Sequence, residues 1–523
     1  MNFIKKNLNK YFSIKILLGY KKLKKYKKLD LLSRLKNSLT NCKLSISNNK
    51  NFFLEKKKFN IEICIRQYLL KEIGGYTLNK AVLLFFYFNI PLCYPMPKEW
   101  FPIFKNYNIK INKLICSCLW KIFLIYKLLF SLKYYFESLF DALISFFKKN
   151  HREFIYCFSL SSKNFPEKNK VYENYGIFSF IQKKNSQKKT TILHDVKKKN
   201  FNKKNLIVKF EKNFFFSKTN FFTQIIIFCW FITFFIFSIL DIFRSGWHAL
   251  MLTESLKSFQ IKRSKKNYLA KKYYFNQSSH IYRPIWTYEA EKKGSEIIFY
   301  FYSTNHNYIF QKTYKKKRVY FLGWKIITWN KILVWDEYQK KFIKNLNKKI
   351  NIEVVNHINF TPVIKYKIKY PKKSIIAFDV RPVKKRFWCW LGHPYEFYNS
   401  KNSINFIKDI LDVITKINVF LIIKQKRPPM HEEINYKIYI NKIKKLKNVI
   451  VLSDETSLEN IIKQTKATIS CPYTSTALIS RQFIKNSAYY DSSGSISDLD
   501  EETHGIKLIQ SKLDLKNYIS KLF

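Results

Sequence analysis

Residues 467–491 read ATISCPYTSTALISRQFIKNSAYYD, the pattern of a strand, a hydroxyl-rich turn, a helix and a second strand. The apolar start predicts a buried strand, and Pro472 disfavours helix at the residue before it. Thr474, Ser475 and Thr476 are residue types that cap a helix. Such a unit is half of a nucleotide-binding sheet, with hydroxyls and backbone N–H groups available to a phosphate. The alternative is an ordinary strand–helix unit in which the hydroxyls only cap the helix.

The same alternation extends through the rest of the C-terminal third. Strands are predicted at 374–380, 418–424, 448–452, 467–470 and 487–491, with helices near 402–416, 432–446, 456–465, 474–485 and 512–522. Repeated strand–helix units predict a doubly wound parallel sheet, whose ligands bind at the carboxyl ends of the strands.

Cations and hydroxyls follow several of these strands, where they would stabilise a phosphate. The candidates for phosphate or nucleotide binding are Lys424, Lys426, Arg427, Thr474, Ser475, Thr476 and His504. Further candidates for the cleft are Arg283, Asp379, Arg381 and Asp491. For the lysines the alternative is a solvated basic loop, and for His504 it is a structural role.

The N-terminal part of the chain is less regular. We divide the chain into a basic N-terminal lead-in, an N-terminal α/β domain and a C-terminal Rossmann-like domain, at residues 1–60, 61–365 and 366–523. Leu83–Ile90 and His151–Leu160 are predicted to be strands, whereas 161–219 is predicted to contain loops or an insertion.

Two hydrophobic helices are predicted in the N-terminal domain, near 114–147 and 221–243. The run 221–240 carries no charged residue, and as a helix it would be about 30 Å long, close to the hydrocarbon thickness of a bilayer. It could span a membrane. The interface position is favoured because the C-terminal half has the pattern of a cytoplasmic enzyme.

The formal net charge of +61 invites a nucleic-acid-binding interpretation, but lysine dominates and no nucleic-acid-binding motif is present. Lysine is the default polar residue of an AT-rich coding sequence, so much of the charge is expected to be solvated surface that favours anionic lipids. The nine cysteines form no CxxC pair or Cys/His cluster, which argues against structural zinc.

Several segments together resemble the C-terminal domain of GT-B-type glycosyltransferases of bacterial surface polysaccharide biosynthesis (capsule or O-antigen). These segments are Ile375–Val380, Lys424–Arg427, Cys471–Ala477, Tyr489–Asp491 and His504–Ile506. Tyr282–Asn305 also resembles the middle region of that group. The resemblance implies an α/β fold of two Rossmann-like domains, GT-B-like, with additional hydrophobic helices in the N-terminal half. A glycine-rich loop at the start of the N-terminal domain is missing.

By this resemblance the chain is expected to be a cytoplasmic glycosyltransferase associated with the inner face of the cell membrane. It would transfer sugar from a nucleotide-sugar donor to a surface polysaccharide or lipid-linked glycan, without a cofactor or a metal. Peripheral contact with anionic membrane is expected, and no specific nucleic acid. The alternatives are a CDP-polyol phosphotransferase of cell-surface polymer synthesis and a basic nucleic-acid-binding protein.

Glycosyl transfer needs a base that takes the acceptor proton. Glu289 and Glu291 stand two residues apart, so in an extended chain they would share a face. Asp336 is the third candidate for catalysis. The alternative for the two glutamates is a surface loop whose charges are balanced by Lys292 and Lys293.

Overall fold

The computed structural model describes most of the chain, with gaps. The described residues are 2–46, 60–145, 153–168, 170–185, 189–197, 199–203, 205–211, 221–276, 282–301, 303, 309–314, 323–365, 369–426, 432–453, 456, 458–484, 486–497 and 500–523.

The first ten strands lie before residue 370 of the described chain. They are β1 (Ile155–Cys157), β2 (Tyr172–Asn174), β3 (Thr190–His194), β4 (Phe201–Lys203), β5 (Leu206–Phe210), β6 (Lys272–Asn276), β7 (Glu296–Tyr300), β8 (Lys331–Val334), β9 (Asn351–Val354) and β10 (Val363–Ile364). Eight of them form one sheet in the order β4-β5-β3-β1-β6-β7-β8-β9, and β2 pairs with β10. Every pair in the large sheet is parallel except β4 with β5.

The second sheet is wholly parallel. Its strands are β11 (Ser374–Asp379), β12 (Phe420–Gln425), β13 (Val449–Leu452), β14 (Ala467–Ser470), β15 (Ser487–Tyr490) and β16 (Lys507–Ile509). Their order, β13-β12-β11-β14-β15-β16, is the doubly wound order in which the winding reverses between the first and fourth strands. The parallel strands of the first sheet repeat this order with a seventh strand added. The predicted α/β class with two Rossmann-like sheets is confirmed.

Helices cover both sheets and form a separate layer at the N-terminus. They are α1 (Asn2–Lys25), α2 (Leu31–Thr40), α3 (Ile61–Glu72), α4 (Tyr76–Phe88), α5 (Phe101–Asn106), α6 (Lys113–Ser145), α7 (Ile177–Asn185), α8 (Phe221–Asp241), α9 (Trp247–Arg263), α10 (Trp286–Lys292), α11 (Glu337–Leu346), α12 (Lys385–Trp388), α13 (Ser400–Thr415), α14 (Ile434–Ile443), α15 (Leu458–Ile462), α16 (Ser475–Phe483), α17 (Asp500–Thr503) and α18 (Lys512–Ser520).

Two predictions for the N-terminal part are wrong. Leu83–Ile90, predicted to be a strand, falls mainly in helix α4, which packs so closely on α1 that a Cβ on Gly19 would lie 1.9 Å from the Leu83 carbonyl oxygen. Residues 161–219, predicted to contain loops or an insertion, supply β3, β4 and β5 of the large sheet. Short apolar runs do not distinguish helix from strand, because both are buried on similar faces.

The two hydrophobic stretches are helices, as predicted. Within the described residues, Lys113–Leu143 of α6 and Phe222–Asp241 of α8 are long and apolar enough to cross a membrane, judged by length and composition only. Both helices pack against α9.

Candidate functional site

A cavity of about 1070 Å³ lies at the carboxyl edge of the C-terminal sheet, where the N-terminal helices and the chain after β7 cover it. Its lining residues are Lys24, Lys27, Leu29, Asp30, Phe310, Gln311, Thr313, Tyr314, Val383, Lys385, Pro394, Tyr395, Glu396, Asn399, Ser400, Lys401 and Glu433. The cavity therefore lies between the two sheets, each contributing the chain that follows a strand end. In parallel sheets that edge is where ligands bind.

Helix α13 begins at this cavity. The Asn399 side chain caps it by accepting a hydrogen bond from Asn402 N at 3.0 Å. Ser400 and Lys401 then lie in the first turn and line the cavity. The positive end of a 16-residue helix and an exposed ammonium group thus face the same space, an arrangement that favours an anion.

The cavity also contains three carboxylates. Glu396 pairs with Lys385 Nζ at 3.2 Å, and Asp30 pairs with Arg34 Nε at 2.8 Å. Glu433 accepts a hydrogen bond from the backbone N–H of Lys385 at 3.1 Å. These bonds hold the carboxylates in place, and a carboxylate beside a sugar hydroxyl can take its proton.

The winding reversal of the C-terminal sheet lies between β11 and β14, at Asp379 and Cys471. Asp379 is fully buried, accepts a hydrogen bond from the Tyr436 hydroxyl and lies 3.6 Å from Cys471 Sγ. Burial raises the pKa of the Asp379 carboxyl to about 6, although both hydrogen bonds act in the opposite direction. Asp379 therefore links the ends of β11 and β14 through Cys471.

Arg381 extends the same buried network. It donates a hydrogen bond to Gln425, which itself bonds Tyr436, and its Nε lies 3.0 Å from Glu432 Oε1. It is two residues before Val383, which lines the cavity. The structure thus places Asp379 and Arg381 beneath the cavity rather than in its lining.

The hydroxyls of the β14–α16 turn bond within the protein. Thr474 Oγ1 donates to the Cys471 carbonyl at 2.8 Å and lies 2.9 Å from Thr476 Oγ1, which bonds Ser470 Oγ at 3.1 Å. Thr474 and Thr476 are buried, whereas Ser475 is half-buried. Thr474 is the N-cap residue of α16, but its side chain accepts no hydrogen bond from the helix N–H groups, so the two hydroxyls stabilise the turn and do not cap the helix.

The three cations predicted to bind phosphate do not share one environment. Lys424 lies in β12 and is buried, Lys426 is exposed, and Arg427 lies outside the described residues. Lys424 and Ser470 both stand opposite Phe378, on the strands either side of β11. Their backbones are therefore two strand spacings apart, roughly 10 Å.

Asp336 and His504 meet at the contact between the two domains. Asp336 follows β8 and His504 precedes β16, and their Oδ2 and Nδ1 atoms lie 2.6 Å apart. Burial alone would raise the pKa of the Asp336 carboxyl. His504, Gln339 N–H and Arg481 outweigh it and hold that pKa below its ordinary value. Neither side chain lines the cavity.

The geometric premise for Glu289 and Glu291 is wrong. Both lie in helix α10, where residues two apart point about 200° apart, not to one face. Glu289 is buried. Glu291 accepts a hydrogen bond from Asn330 Nδ2 at 3.0 Å, and Asn330 immediately precedes β8. Glu291 is therefore at the amino edge of the first sheet, away from the cavity.

Arg283 and Asp491, predicted as cleft residues, are both buried and bonded within the protein. Arg283 is fully buried, with Nη2 2.7 Å from Glu291 Oε2 and Nη1 3.1 Å from the Thr328 carbonyl. Asp491 is fully buried and accepts bonds from Ser493 N and Ile496 N, both at 2.9 Å. It closes the loop after β15.

Within the described residues, no group of three or more His, Cys, Asp or Glu side chains could hold a metal ion.

Residues 231–519, more than half of the chain, match the family described as "Polysaccharide biosynthesis PFTS motif protein". The chain belongs to this family. No curated protein sequence matches it significantly. The polysaccharide-biosynthesis part of the resemblance is thereby confirmed.

Solved structures of TarM and of a wall teichoic acid polymerase are similar at a low level. TarM has 14% identity and a TM-score of 0.30 over 52% of this chain and 51% of its own. A variant of S. aureus TarM has 14% identity and a TM-score of 0.31, over 52% of each chain. A variant of the wall teichoic acid polymerase TagF has 10% identity and a TM-score of 0.37, over 77% of this chain and 89% of its own. The alignment thus spans about half the length of the two TarM chains.

The PFTS family is named for a four-residue motif, and Pro472-Tyr473-Thr474-Ser475 differs from it only by Tyr in place of Phe. Tyr473 has φ +55°, a left-handed conformation that is uncommon outside glycine. Its hydroxyl donates to the Ser497 carbonyl at 2.7 Å, and the Tyr398 hydroxyl donates to the Pro472 carbonyl at 2.7 Å. The motif thereby fixes the chain that leads to Asn399 and α13.

Sequence reasoning missed the residues that line the cavity. Lys385 and Glu396 belong to the connection between β11 and α13, which has no periodicity, and Lys401 lies in the first turn of α13. The one available signal was Asn399, a good N-cap residue placed three positions before the predicted start of that helix.

Proposed function

We propose that this chain transfers a sugar from a nucleotide-activated donor to a surface polysaccharide or lipid-linked glycan. The observation that supports this most is the interdomain cavity with the α13 N-terminus, Lys385 and Lys401 on one wall. Membership of the PFTS family agrees with a polysaccharide substrate.

The donor diphosphate would lie at the start of α13. As the sugar leaves, negative charge grows on the diphosphate, and the helix dipole with Lys401 stabilises that charge. That the transfer needs no metal ion stays a prediction from the sequence. Lys385 is held by Glu396 at 3.2 Å, which fixes its ammonium group beside the same wall.

The proton of the acceptor hydroxyl would pass to one of Asp30, Glu396 and Glu433. Replacing each with its amide (Asp30→Asn, Glu396→Gln, Glu433→Gln) identifies the base, because loss of a general base typically lowers kcat about 10²–10⁴-fold. Donor binding should persist in that variant. If all three variants keep full turnover, the cavity is not where proton transfer occurs.

A panel of nucleotides tests the donor class. UDP, GDP, CDP and their sugar conjugates are added to the full chain, and the thermal midpoint is measured. A ligand that binds the native state raises it. A response limited to CDP-polyols would favour the phosphotransferase alternative, and no response to any nucleotide would contradict a nucleotide-dependent enzyme.

The membrane contact would be made by α6 and α8, whose outward faces are apolar. Leu114, Ile122 and Phe140 of α6 are 75%, 61% and 64% exposed, and Phe222 of α8 is 74% exposed. Exposed apolar surface of this extent marks an interaction site. The surrounding positive charge suits anionic headgroups.

Helix α9 argues for a helix on the membrane surface, not a span. It packs along both α6 and α8, and buried Glu254 binds Lys257 at 2.9 Å and the Tyr282 hydroxyl at 2.9 Å. A spanning α8 would carry these charges into the hydrocarbon, which is costly.

Flotation with phosphatidylglycerol vesicles tests this surface. The double variant Phe136→Glu/Phe140→Glu should no longer bind the vesicles. Ile434→Glu with Ile438→Glu, at similarly exposed positions of α14, should leave it intact. Equal binding by both variants would place the membrane contact elsewhere.

A further inference from the structure

The N-terminal segment, expected to be a lead-in, forms part of the cavity wall. Lys24 and Lys27, at the end of α1 and in the turn after it, line the cavity together with Leu29 and Asp30. This segment lies outside the residues 231–519 that match the PFTS family. The wall is therefore a feature of this chain beyond the matched region.

Helix α1 is held against the C-terminal domain. The Tyr20 hydroxyl lies 3.5 Å from Glu396 Oε2, and Lys385 Nζ lies 5.7 Å from the centre of the Tyr20 ring. Lys24 is one turn after Tyr20 and so projects from the same side of the helix. The position of Lys24 in the cavity thus follows from the packing of α1.

The end of α1 presents Lys27 in a defined conformation. Lys27 has φ +52°, and its N–H donates to the Lys24 carbonyl at 3.0 Å. The next N–H, of Lys28, donates to the Leu23 carbonyl at 2.9 Å, which closes the helix end. The two lysines are held one tight turn apart.

The charges on this wall are unbalanced. Asp30 is engaged by Arg34 Nε at 2.8 Å. Among the described residues, Lys24 and Lys27 form no ion pair, and both are exposed. Two ammonium groups on the N-terminal wall thus add to those of Lys385 and Lys401 on the other domain.

The cavity is as large as the largest pockets for single small molecules. Its volume of about 1070 Å³ lies at the upper end of the roughly 300–1,000 Å³ range of such pockets. The α13 wall already suits a donor diphosphate, so the second cationic wall has room for another anion.

We propose that Lys24 and Lys27 bind a carboxylate group of the acceptor glycan. This inference rests on the proposed transferase function and names the class of its acceptor. The α1–α2 turn is then the acceptor wall of the cavity, and the α13 N-terminus is its donor wall.

The test compares two double variants. One carries Lys24→Gln and Lys27→Gln together, and the control carries Lys21→Gln and Lys25→Gln together. The control lysines are exposed on the same helix and do not line the cavity, so both variants lose equal charge. An oligogalacturonate and an uncharged maltooligosaccharide of equal length serve as acceptor probes, with UDP as the diphosphate probe. Binding is measured at physiological ionic strength, because salt screens the general attraction of so basic a chain.

Oligogalacturonate should bind the Lys24/Lys27 variant about tenfold or more weakly than the control, the loss expected for charge-assisted hydrogen bonds. UDP and maltooligosaccharide binding should not differ between the two. Equal oligogalacturonate affinity would overturn the inference and leave the transferase proposal standing. A selective loss of UDP affinity would also overturn it, because the lysines would then serve the donor. Thermal midpoints of both variants check that folding is unchanged.

Discussion

In the N-terminal sheet, the crevice between the first and fourth strands is filled by aromatic rings. Phe158, directly after β1, stacks on Phe275 of β6 with ring centres 4.6 Å apart. In the C-terminal sheet, the equivalent crevice holds Asp379, Arg381 and the PFTS motif, and a cavity lies above it. Both sheets wind in the same order, so topology supplies a crevice in each. The side chains that follow the strands decide whether it becomes core or site.

This comparison predicts that Phe275→Ala is a stability change and nothing else. Phe275 is fully buried, so its removal should lower the free energy of unfolding by about 3–5 kcal/mol through lost burial and a cavity. Denaturant unfolding measures the loss. Phe243→Ala, at a 74% exposed position, is the control and should change it by less than about 0.5 kcal/mol. If the folded Phe275→Ala variant bound UDP more weakly than the wild type, the claim that this crevice is only hydrophobic core would be wrong.

Asp379 should make the stability of the protein fall as pH rises. Its pKa is about 6 in the folded chain, against about 3.9 for an unfolded aspartate. Between these values the folded state holds the extra proton, so the contribution of Asp379 to stability is highest below pH 4 and is lost as pH rises to about 6. Asp379→Asn has no proton to lose, so over this range its free energy of unfolding should rise relative to the wild type by up to about 3 kcal/mol.

Urea unfolding of both proteins from pH 4 to 8 provides the measurement. Tyr436→Phe provides a second check, because it removes a hydrogen bond that lowers the Asp379 pKa. The decline should then shift to higher pH. Parallel curves for Asp379→Asn and the wild type would show that this carboxyl is not perturbed.

Lys401→Gln should weaken UDP binding about tenfold, since one charge-assisted hydrogen bond is lost at the α13 N-terminus. Lys408→Gln is the matched control, because Lys408 is an exposed lysine two turns further along the same helix and does not line the cavity. Isothermal titration compares the two variants. Equal affinities of the two variants for UDP would contradict a diphosphate site at the start of α13.

The smallest effect is expected at the contact between the domains. Asp336→Asn keeps the helix cap, in which the side chain accepts a bond from Gln339 N at 2.9 Å, but removes the charge that pairs with His504. It should cost about 1 kcal/mol, seen as a small fall in the thermal midpoint. Asp336→Ala should cost about 1 kcal/mol more through loss of the cap. Equal midpoints for all three proteins would show that the pair does not stabilise the contact.

The C-terminal sheet could be predicted closely because its strands are continuous apolar runs between polar turns. The predicted strand at 467–470 coincides with β14, and the helix predicted at 402–416 is α13, Ser400–Thr415. The short strand β16 was not predicted, since three residues carry too little pattern. The run Leu83–Ile90 was misassigned because its seven apolar residues and one asparagine fit a buried helix as well as a strand.

The candidate site was harder to predict, because a motif reports residue types and not their partners. Thr474 and Thr476 have the predicted location, but their hydroxyls bond one another and the strand before them. Glu291 is paired with Arg283 at the opposite edge of the first sheet. For Lys424, Lys426 and Arg427 a phosphate role stays a prediction.

Local pattern was enough to establish the alternation of strands and helices, the two apolar helices and the turn that carries the PFTS motif, because these depend on neighbours within a few residues. The cavity depended on packing. Lys24 and Lys401 are separated by most of the chain and face one space only because α1 docks on the C-terminal domain through Tyr20. Contacts between residues so far apart are set by how whole elements bury their faces, which no short window of sequence contains.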